Sequence, residues 1–286
     1  MNTYNAKLEH LIAEALKEDI GDGDHSTLSC IPQSQHGKAV LKIKQEGILA
    51  GMQVAEKIFK SVEPESIVTP FKNDGDAVAN GDIAFTVEAG IHTILQCERL
   101  VLNCMQRMSG IATLTRLYAD TINGYHTKIL DTRKTTPNFR LLEKEAVKIG
   151  GGVNHRFALY DMIMLKDNHI DYCGGIEKAI NKAWDYVQTK NLGLKIEVET
   201  RNIEDVKKVI QAGEAKVFRI MLDNFLPGQV EEALKLIGRK FETEASGGIN
   251  LKNIEDYAST GVDYISVGAL IHQARSLDLS LKAVIV

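Results

Sequence analysis

Apolar positions along the chain change period more than once. Leu8, Leu11, Ile12, Ala15 and Leu16 recur at helical spacing, which predicts an amphipathic helix over 5–18. The Gly21-Asp22-Gly23-Asp24 segment ends it. Three strand-like runs follow, Ala39–Ile48, Ser66–Phe71 and Ile83–Ile91, with a helix over 52–61 between the first two. In the first run Val40, Lys42 and Lys44 face one way, and Leu41, Ile43 and Gln45 the other. Turns at Asn73-Asp74-Gly75-Asp76 and Asn80-Gly81-Asp82 punctuate the rest. Together these predict a small α+β unit of roughly 110 residues.

From 92 to 122 the pattern is helical again, with a break predicted at Gly110. Beyond it, short apolar runs alternate with amphipathic helices. The runs Lys128–Leu130, Met162–Leu165, Leu194–Val198, Val217–Leu222, Phe241–Ala245 and Tyr264–Val267 read as strands. Helices are predicted over 140–149, 176–190, 202–212, 227–238, 250–260 and 269–283. The last four strands start about 23 residues apart, the length of one βα unit, so parallel strands with helical crossovers are expected. A doubly wound sheet and a barrel share this periodicity. The barrel is favoured because polar or glycine residues follow every strand, and because no G-x-G-x-x-G follows the first. Only six strands are legible, and 150–156 has no readable pattern, so the barrel has fewer than eight strands or one is hidden.

The chain has 286 residues, 44% apolar and 25% charged, so a buried core is expected rather than disorder. A net charge of -4 gives no global attraction to nucleic acid or anionic membrane, and neither partner is expected. Any anion site must come from local arrangement. Cys30, Cys97, Cys104 and Cys173 form no C-x-x-C pair and read as buried or incidental thiols of a reducing compartment. The first 20 residues lack the basic start and apolar run of a signal peptide, and no run reaches the roughly 18 apolar residues of a membrane span. A cytoplasmic location is expected.

The strand ends carry the candidate chemistry. Arg133 and Lys134 follow the first barrel strand, either as half of an anion site or as a solvated basic turn. Gly150-Gly151-Gly152 precedes His155 and Arg156; the glycines permit close backbone approach to a ligand or positive φ. Lys166 ends the second strand, where it could pair with an anion, serve as a Schiff-base nucleophile or snorkel at an interface. Alternation sends Glu197 and Glu199 to one side of the third strand, and the fourth ends in Asp223-Asn224. Such carboxylates suit Mg²⁺ through water, a sugar diol, or a salt bridge to Lys134 or Lys166. Ser246-Gly247-Gly248 and Gly268-Ala269 end the last two strands, each ahead of an expected helix start, where free N–H groups favour phosphate. The whole points to a ligand with carboxylate and phosphate character.

Six ordered segments resemble the signature of quinolinate phosphoribosyltransferases: Asp131–Pro137 (DTRKTTP), Gly150–Phe157 (GGGVNHRF), Leu165–Ile170 (LKDNHI), Leu222–Phe225 (LDNF), Ala245–Ile249 (ASGGI) and Gly261–Leu270 (GVDYISVGAL). The resemblance runs from about Leu8 to the C-terminus. It implies an N-terminal α+β sandwich domain over 1–110, an incomplete seven-stranded β/α barrel over 111–272, and a C-terminal helix over 273–286 packing back toward the N-terminal domain. It also implies transfer of phosphoribosyl from phosphoribosyl pyrophosphate to quinolinate with loss of CO₂, as in de novo NAD synthesis. By similarity Arg133, Lys134, His155, Arg156 and Lys166 would bind quinolinate, with Arg99 reaching in from the other subunit of a homodimer. Glu199 and Asp223 would hold the ribose hydroxyls and Mg²⁺, directly or through water. Ser246, Gly247, Gly248, Gly268 and Ala269 would cradle phosphate. Lys134, Lys166, Glu199 and Asp223 would be the catalytic set, the lysines electrostatic rather than covalent. Asn138 stands where the family has glycine after Pro137; Asn tolerates positive φ, so the turn is expected to survive. Rival readings are a phosphoribosyltransferase that keeps both carboxylates, a Schiff-base aldolase barrel using Lys166, and a phosphosugar-binding barrel without turnover.

Overall fold

The computed structural model describes residues 4–284, so the outermost residues of the first and last predicted segments, 1–3 and 285–286, lie outside the described residues. The first half runs α1 (Tyr4–Ile20), α2 (His25–Cys30), β1 (His36–Ile43), β2 (Gly47–Ile48), α3 (Met52–Val62), β3 (Ile67–Pro70), β4 (Ala77–Val78), β5 (Ile83–Gly90) and α4 (Ile91–Thr121). It continues as β6 (Lys128–Leu130), α5 (Arg140–Ile149), β7 (Ile163–Leu165), α6 (Asp167–Cys173), α7 (Ile176–Lys190), β8 (Ile196–Thr200) and α8 (Ile203–Gly213). The remainder is β9 (Arg219–Asp223), α9 (Pro227–Ile237), β10 (Glu242–Ser246), α10 (Ile254–Ser259), β11 (Tyr264–Ser266), α11 (Ala269–His272) and β12 (Leu279–Val284). Among the described residues no helix is long and apolar enough to cross a membrane.

The chain divides into two compact units. One comprises the chain up to Arg116, Thr135–Gly151 and the segment from Leu270 on; the other comprises Leu117–Lys134 and Gly152–Ala269. Helix α5 therefore belongs with the N-terminal elements although its sequence lies between barrel strands.

In the first unit an antiparallel sheet has the order β12-β1-β5-β3. Leu41, Ile43, Phe85 and Val87 are fully buried on it, as are Ile58 and Phe59 of α3, and the rings of Phe59 and Phe85 meet edge to face at 6.2 Å. Three expectations change here. The run from Ala39 does not continue to Ile48, because β1 ends at Ile43 and Gly47–Ile48 pairs instead with β4. The predicted C-terminal helix is one short turn, α11, followed by the strand β12 on the open edge of β1. Leu277, Leu279 and Leu281 are buried at period two, and the hydrogen bonds available from β1 override local helix propensity. Helix α4 passes through Gly110 without a break. That glycine answers a packing demand: a Cβ there would sit 2.0 Å from the backbone oxygen of Arg275.

The second unit is a parallel sheet in the order β6-β11-β10-β9-β8-β7. Leu130 of β6 also forms a parallel bridge to Val153, so the unreadable stretch at 150–156 holds a seventh, one-residue strand beside β6. The sheet is curled. His155 follows the first strand in the row of seven and Glu197 lies on the sixth, about 24 Å away in a flat sheet at the usual strand spacing. Their side chains nevertheless meet at 3.0 Å. No ladder pair among the described residues joins β7 to the Val153 segment. The result is the expected incomplete barrel, with helices α7, α8 and α9 covering it.

Candidate active site

The mouth of the barrel, at the C-terminal ends of its strands, is where the predicted residues gather. All five residues of β8 are buried, Ile196, Val198 and Thr200 on one side and the two glutamates on the other. Glu199 lies higher and accepts an ion pair from Lys166 at the end of β7, Nζ to Oε2 3.5 Å. Asp223 ends β9. Burial pushes its carboxyl above the usual range, while the charges of Lys166 and Lys134 and a hydrogen bond from Ser246 act against that. Asn224, left-handed at φ 58, donates to Asp223 Oδ2 at 2.7 Å and so aims the carboxylate. Gly247 (φ 94) stands against Asn224, where a Cβ would lie 2.2 Å from the amide oxygen; Gly248 (φ 66) follows with open space around it. Lys134, Lys166, Glu199, Asp223, Ser246 and Gly247 are thus one constellation.

A second group adjoins it. Asp131, fully buried, accepts the His155 N–H at 2.8 Å, and its own N–H donates to Val153 O at 3.1 Å. This double clip ties the segment bearing Arg133 and Lys134 to the one bearing His155 and Arg156. Burial and then the positive charge of Arg133 hold the Arg156 guanidinium below its usual pKa, so the two cations repel each other. Arg156 Nη1 also donates to Met162 O at 3.1 Å, and Asp161 clips the intervening loop through the N–H groups of Phe157 and Ala158.

The other predicted residues differ in their settings. The His155 side chain is only 5% exposed, so it underlies the rim rather than lining it. Arg99 is exposed on α4, in the other compact unit. Gly268 directly precedes α11, which is a single turn, and Ala269 is buried. The helix expected immediately after Gly248 begins only at Ile254, because Asn250 and Asn253 fold the intervening residues into turns. Gly150 answers a packing demand within its unit, since a Cβ there would strike Ala112 O at 2.5 Å, and Gly151 has φ 97. Asn138 adopts φ 61 as expected of it.

The sequence reading missed the layer beneath the mouth. His155 Nε2 lies 3.0 Å from Glu197 Oε2 and 3.3 Å from Glu244 Oε2, both glutamates being fully buried. Arg219 reaches Glu244 at 3.0 Å and Glu242 at 2.9 Å. Burial opposes the charge on His155, but the hydrogen bonds and charges of the two glutamates push it up to about 9. Burial and Glu244 push Glu197 up to about 7; Glu244 itself is held low by His155 and Arg219 against its burial. The Arg156 N–H points at His155 Nδ1 from 2.6 Å, which taken alone favours a neutral ring. Glu197 in β8 and Glu244 in β10, each a carboxylate inside a strand bounded by helices, are the signal that could have revealed this layer.

A cavity of about 1150 Å³ lies at the opposite, N-terminal ends of β9, β10 and β11, lined among others by Phe218, Glu242 and Asp263. None of the predicted residues borders it. The predicted residues lie instead toward the mouth, where strand ends bring opposite charges together, as Lys166 and Glu199 do.

Residues 24–109 match the family model for the quinolinate phosphoribosyl transferase N-terminal domain, and 111–282 that for the C-terminal domain. The chain is 45% identical to quinolinate phosphoribosyltransferase [decarboxylating] 1b of Nicotiana tabacum, over 98% of this chain and 83% of the relative. It is 42% identical to the probable nicotinate-nucleotide pyrophosphorylase [carboxylating] of Bacillus subtilis, over 96% and 93%. The solved structure of NadC from Streptococcus pyogenes superposes with a TM-score of 0.89 at 37% identity, covering 97% of each chain. With two domain models spanning nearly the whole sequence and a rim of the implied residue types, the chain belongs to the quinolinate phosphoribosyltransferase family.

Proposed function

We propose that this protein transfers phosphoribosyl from phosphoribosyl pyrophosphate to quinolinate and releases CO₂, giving nicotinate mononucleotide and pyrophosphate. One observation carries the reading: Lys166 pairs with Glu199 at 3.5 Å and acts with Lys134 on the Asp223 carboxyl, while Arg133 and Arg156, whose charges repel, stand at neighbouring strand ends of the same barrel. Two forked cations match a ring with adjacent carboxylates. The neighbouring carboxylates match ribose hydroxyls, and the Ser246-Gly247-Gly248 turn exposes backbone N–H groups to phosphate. Glu199 and Asp223 offer the hard oxygen donors that suit Mg²⁺, which would neutralise charge on the departing pyrophosphate. Lys134 and Lys166 stabilise the same charge as it develops. The pyridine nitrogen then attacks the anomeric carbon; as CO₂ leaves, the electron pair of the broken bond stays on C2 of the cationic ring, and C2 takes up a proton from water. Orientation and charge stabilisation do most of this work.

Lys166 is half exposed and paired with Glu199, unlike the dry surroundings that free a Schiff-base amine. The protein functions as a homodimer in which Arg99 of a second copy completes the quinolinate site. Quinolinate labelled in the 2-carboxylate should release one labelled CO₂ per nicotinate mononucleotide formed. A nucleotide product that retains both carboxylates, or no product at all, would exclude this reaction.

A further inference from the structure

Residues 131–139, between the end of β6 and the start of α5, form neither helix nor strand, yet they carry Arg133 and Lys134. Two anchors hold this stretch. At its start Asp131 is tied to the segment of Val153 and His155 by the two hydrogen bonds described above. At its far end Thr136 is tied to α5: its N–H donates to Glu143 Oε2 at 2.8 Å and its Oγ1 to Glu143 Oε1 at 2.9 Å. Thr135 Oγ1 also accepts from Arg140 Nε at 2.9 Å. Arg133 lies between the anchors. The Glu143 carboxylate is fully buried, and Arg107 of α4 supplies its counter-charge through Nε at 2.9 Å and Nη2 at 2.8 Å. The rest of this guanidinium is used as well. Nη1 donates to Ala274 O at 2.9 Å and Nη2 to Ile271 O at 2.8 Å, which fixes the arginine against the chain that follows β11. Arg107, Glu143, Thr136, Ile271 and Ala274 all belong to the first compact unit. A buried ion pair is a weak source of net stability, because desolvation of both charges offsets their attraction. What the forked geometry supplies is position: with both carboxylate oxygens and all three guanidinium nitrogens engaged, Thr136 has one place to go.

We propose that Glu143, and Arg107 behind it, are positioning residues that fix Thr136 and thereby hold the backbone of Arg133 ready for the diacid. The inference rests on the reaction proposed above for the identity of that diacid. Arg133 is exposed on irregular backbone, and ordering such a residue when a ligand arrives weakens binding. The clamp removes the backbone share of that ordering beforehand. The polar atoms of Glu143 and Arg107 are engaged within the chain, so the pair acts through Arg133 and not on the ligand itself.

The test uses the full chain. Thr136→Val keeps the branched shape and the backbone N–H but removes one of the two bonds to Glu143, whereas Thr136→Ser keeps both. Thr136→Val should raise the quinolinate KM about three- to ten-fold, the worth of one hydrogen bond, and Thr136→Ser should leave it near the wild-type value. A double-mutant cycle separates positioning from general destabilisation. With Arg133→Ala already in place, the same Thr136→Val change should raise the KM by less than about 1.5-fold, because the residue it positions is gone. An equal rise in both backgrounds, or no rise with Arg133 present, would overturn the proposal. Glu143→Gln turns one of the two acceptor atoms into a donor that faces Thr136 or Arg107, so its effect should exceed that of Thr136→Val. Should Glu143→Gln not fold, the Thr136 cycle still decides. Hydrogen exchange supplies a readout that needs no substrate. In Thr136→Val the amides of Lys134 and of position 136 should exchange about ten-fold faster, relative to unfolded-chain rates, with those of β8 and β9 unchanged. Unchanged rates, or acceleration throughout the chain, would refute the local role. Absence of CO₂ release from quinolinate by the wild-type protein would instead defeat the reaction reading, while exchange would report on the clamp independently.

Discussion

At the scale of single residues, the rim divides into side chains that meet a ligand and side chains that hold those in place. Arg133 is exposed beside Arg156, so its guanidinium is available and its removal leaves no buried hole. Replacing it by alanine should raise the quinolinate KM about ten- to a hundred-fold, the usual worth of a charge-assisted hydrogen bond. The KM for phosphoribosyl pyrophosphate should change little; initial-rate kinetics with each substrate varied would show this, and equal losses would contradict the assignment. The exposed cations were legible in the sequence because each sits beside a strand end. Asn224 and Asp131 were not, because their roles are contacts: one aims the Asp223 carboxylate, and the other ties two segments 24 residues apart. The meeting of His155 and Glu197 with Glu244 and Arg219 was not legible for the same reason.

At the scale of elements, periodicity served well where an element buries one face against its own neighbours. Helices α3, α5, α7 and α9 lie within a residue or two of their predicted limits. It failed where a distant segment set the conformation. Glycine has low helix propensity, so Gly110 suggested a break in α4, yet the helix continues because the backbone at Arg275 comes too close for any side chain. Gly110→Ala should therefore destabilise the protein by about 3 kcal/mol or more despite its better helix propensity, since the obstructing atom is backbone rather than a flexible side chain. Urea unfolding would measure this, and a midpoint at or above wild type would rule out the packing explanation. The same first unit holds the Arg107–Glu143 pair, in which the fully buried carboxylate also accepts from Thr136 N–H at 2.8 Å and Thr136 Oγ1 at 2.9 Å. That network anchors the turn containing Asn138 to α5.

For the whole molecule, the buried charge cluster links folding to pH. His155 is raised from an ordinary value of 6.5 to about 9 on folding. A raised pKa means that the folded state holds the proton more tightly. Its stabilisation is complete below pH 6.5 and is lost as pH rises toward 9. At 1.36 kcal/mol per unit the change is no more than about 3 kcal/mol. Burial also raises Glu197, which shifts stability in the same direction, but the two groups compete for one proton and their contributions do not add. Urea midpoints at pH 6 and pH 9.5 should differ accordingly, and the difference should shrink in His155→Asn. A stability that rises through this window would contradict the cluster's charge state.

The sequence alone determined the alternation of strands and helices, the residue types at the strand ends and the family they resemble, because these follow from local spacing and from runs of adjacent residues. Tertiary structure decided the rest. It made the C-terminal segment a strand, because β1 had unpaired backbone groups to offer. It hid a seventh strand in a single bridge at Val153, too short to leave a period. It also curled the sheet until His155 met Glu197, and burial turned that meeting into a charged cluster; no spacing along a linear chain encodes either the proximity or the exclusion of water.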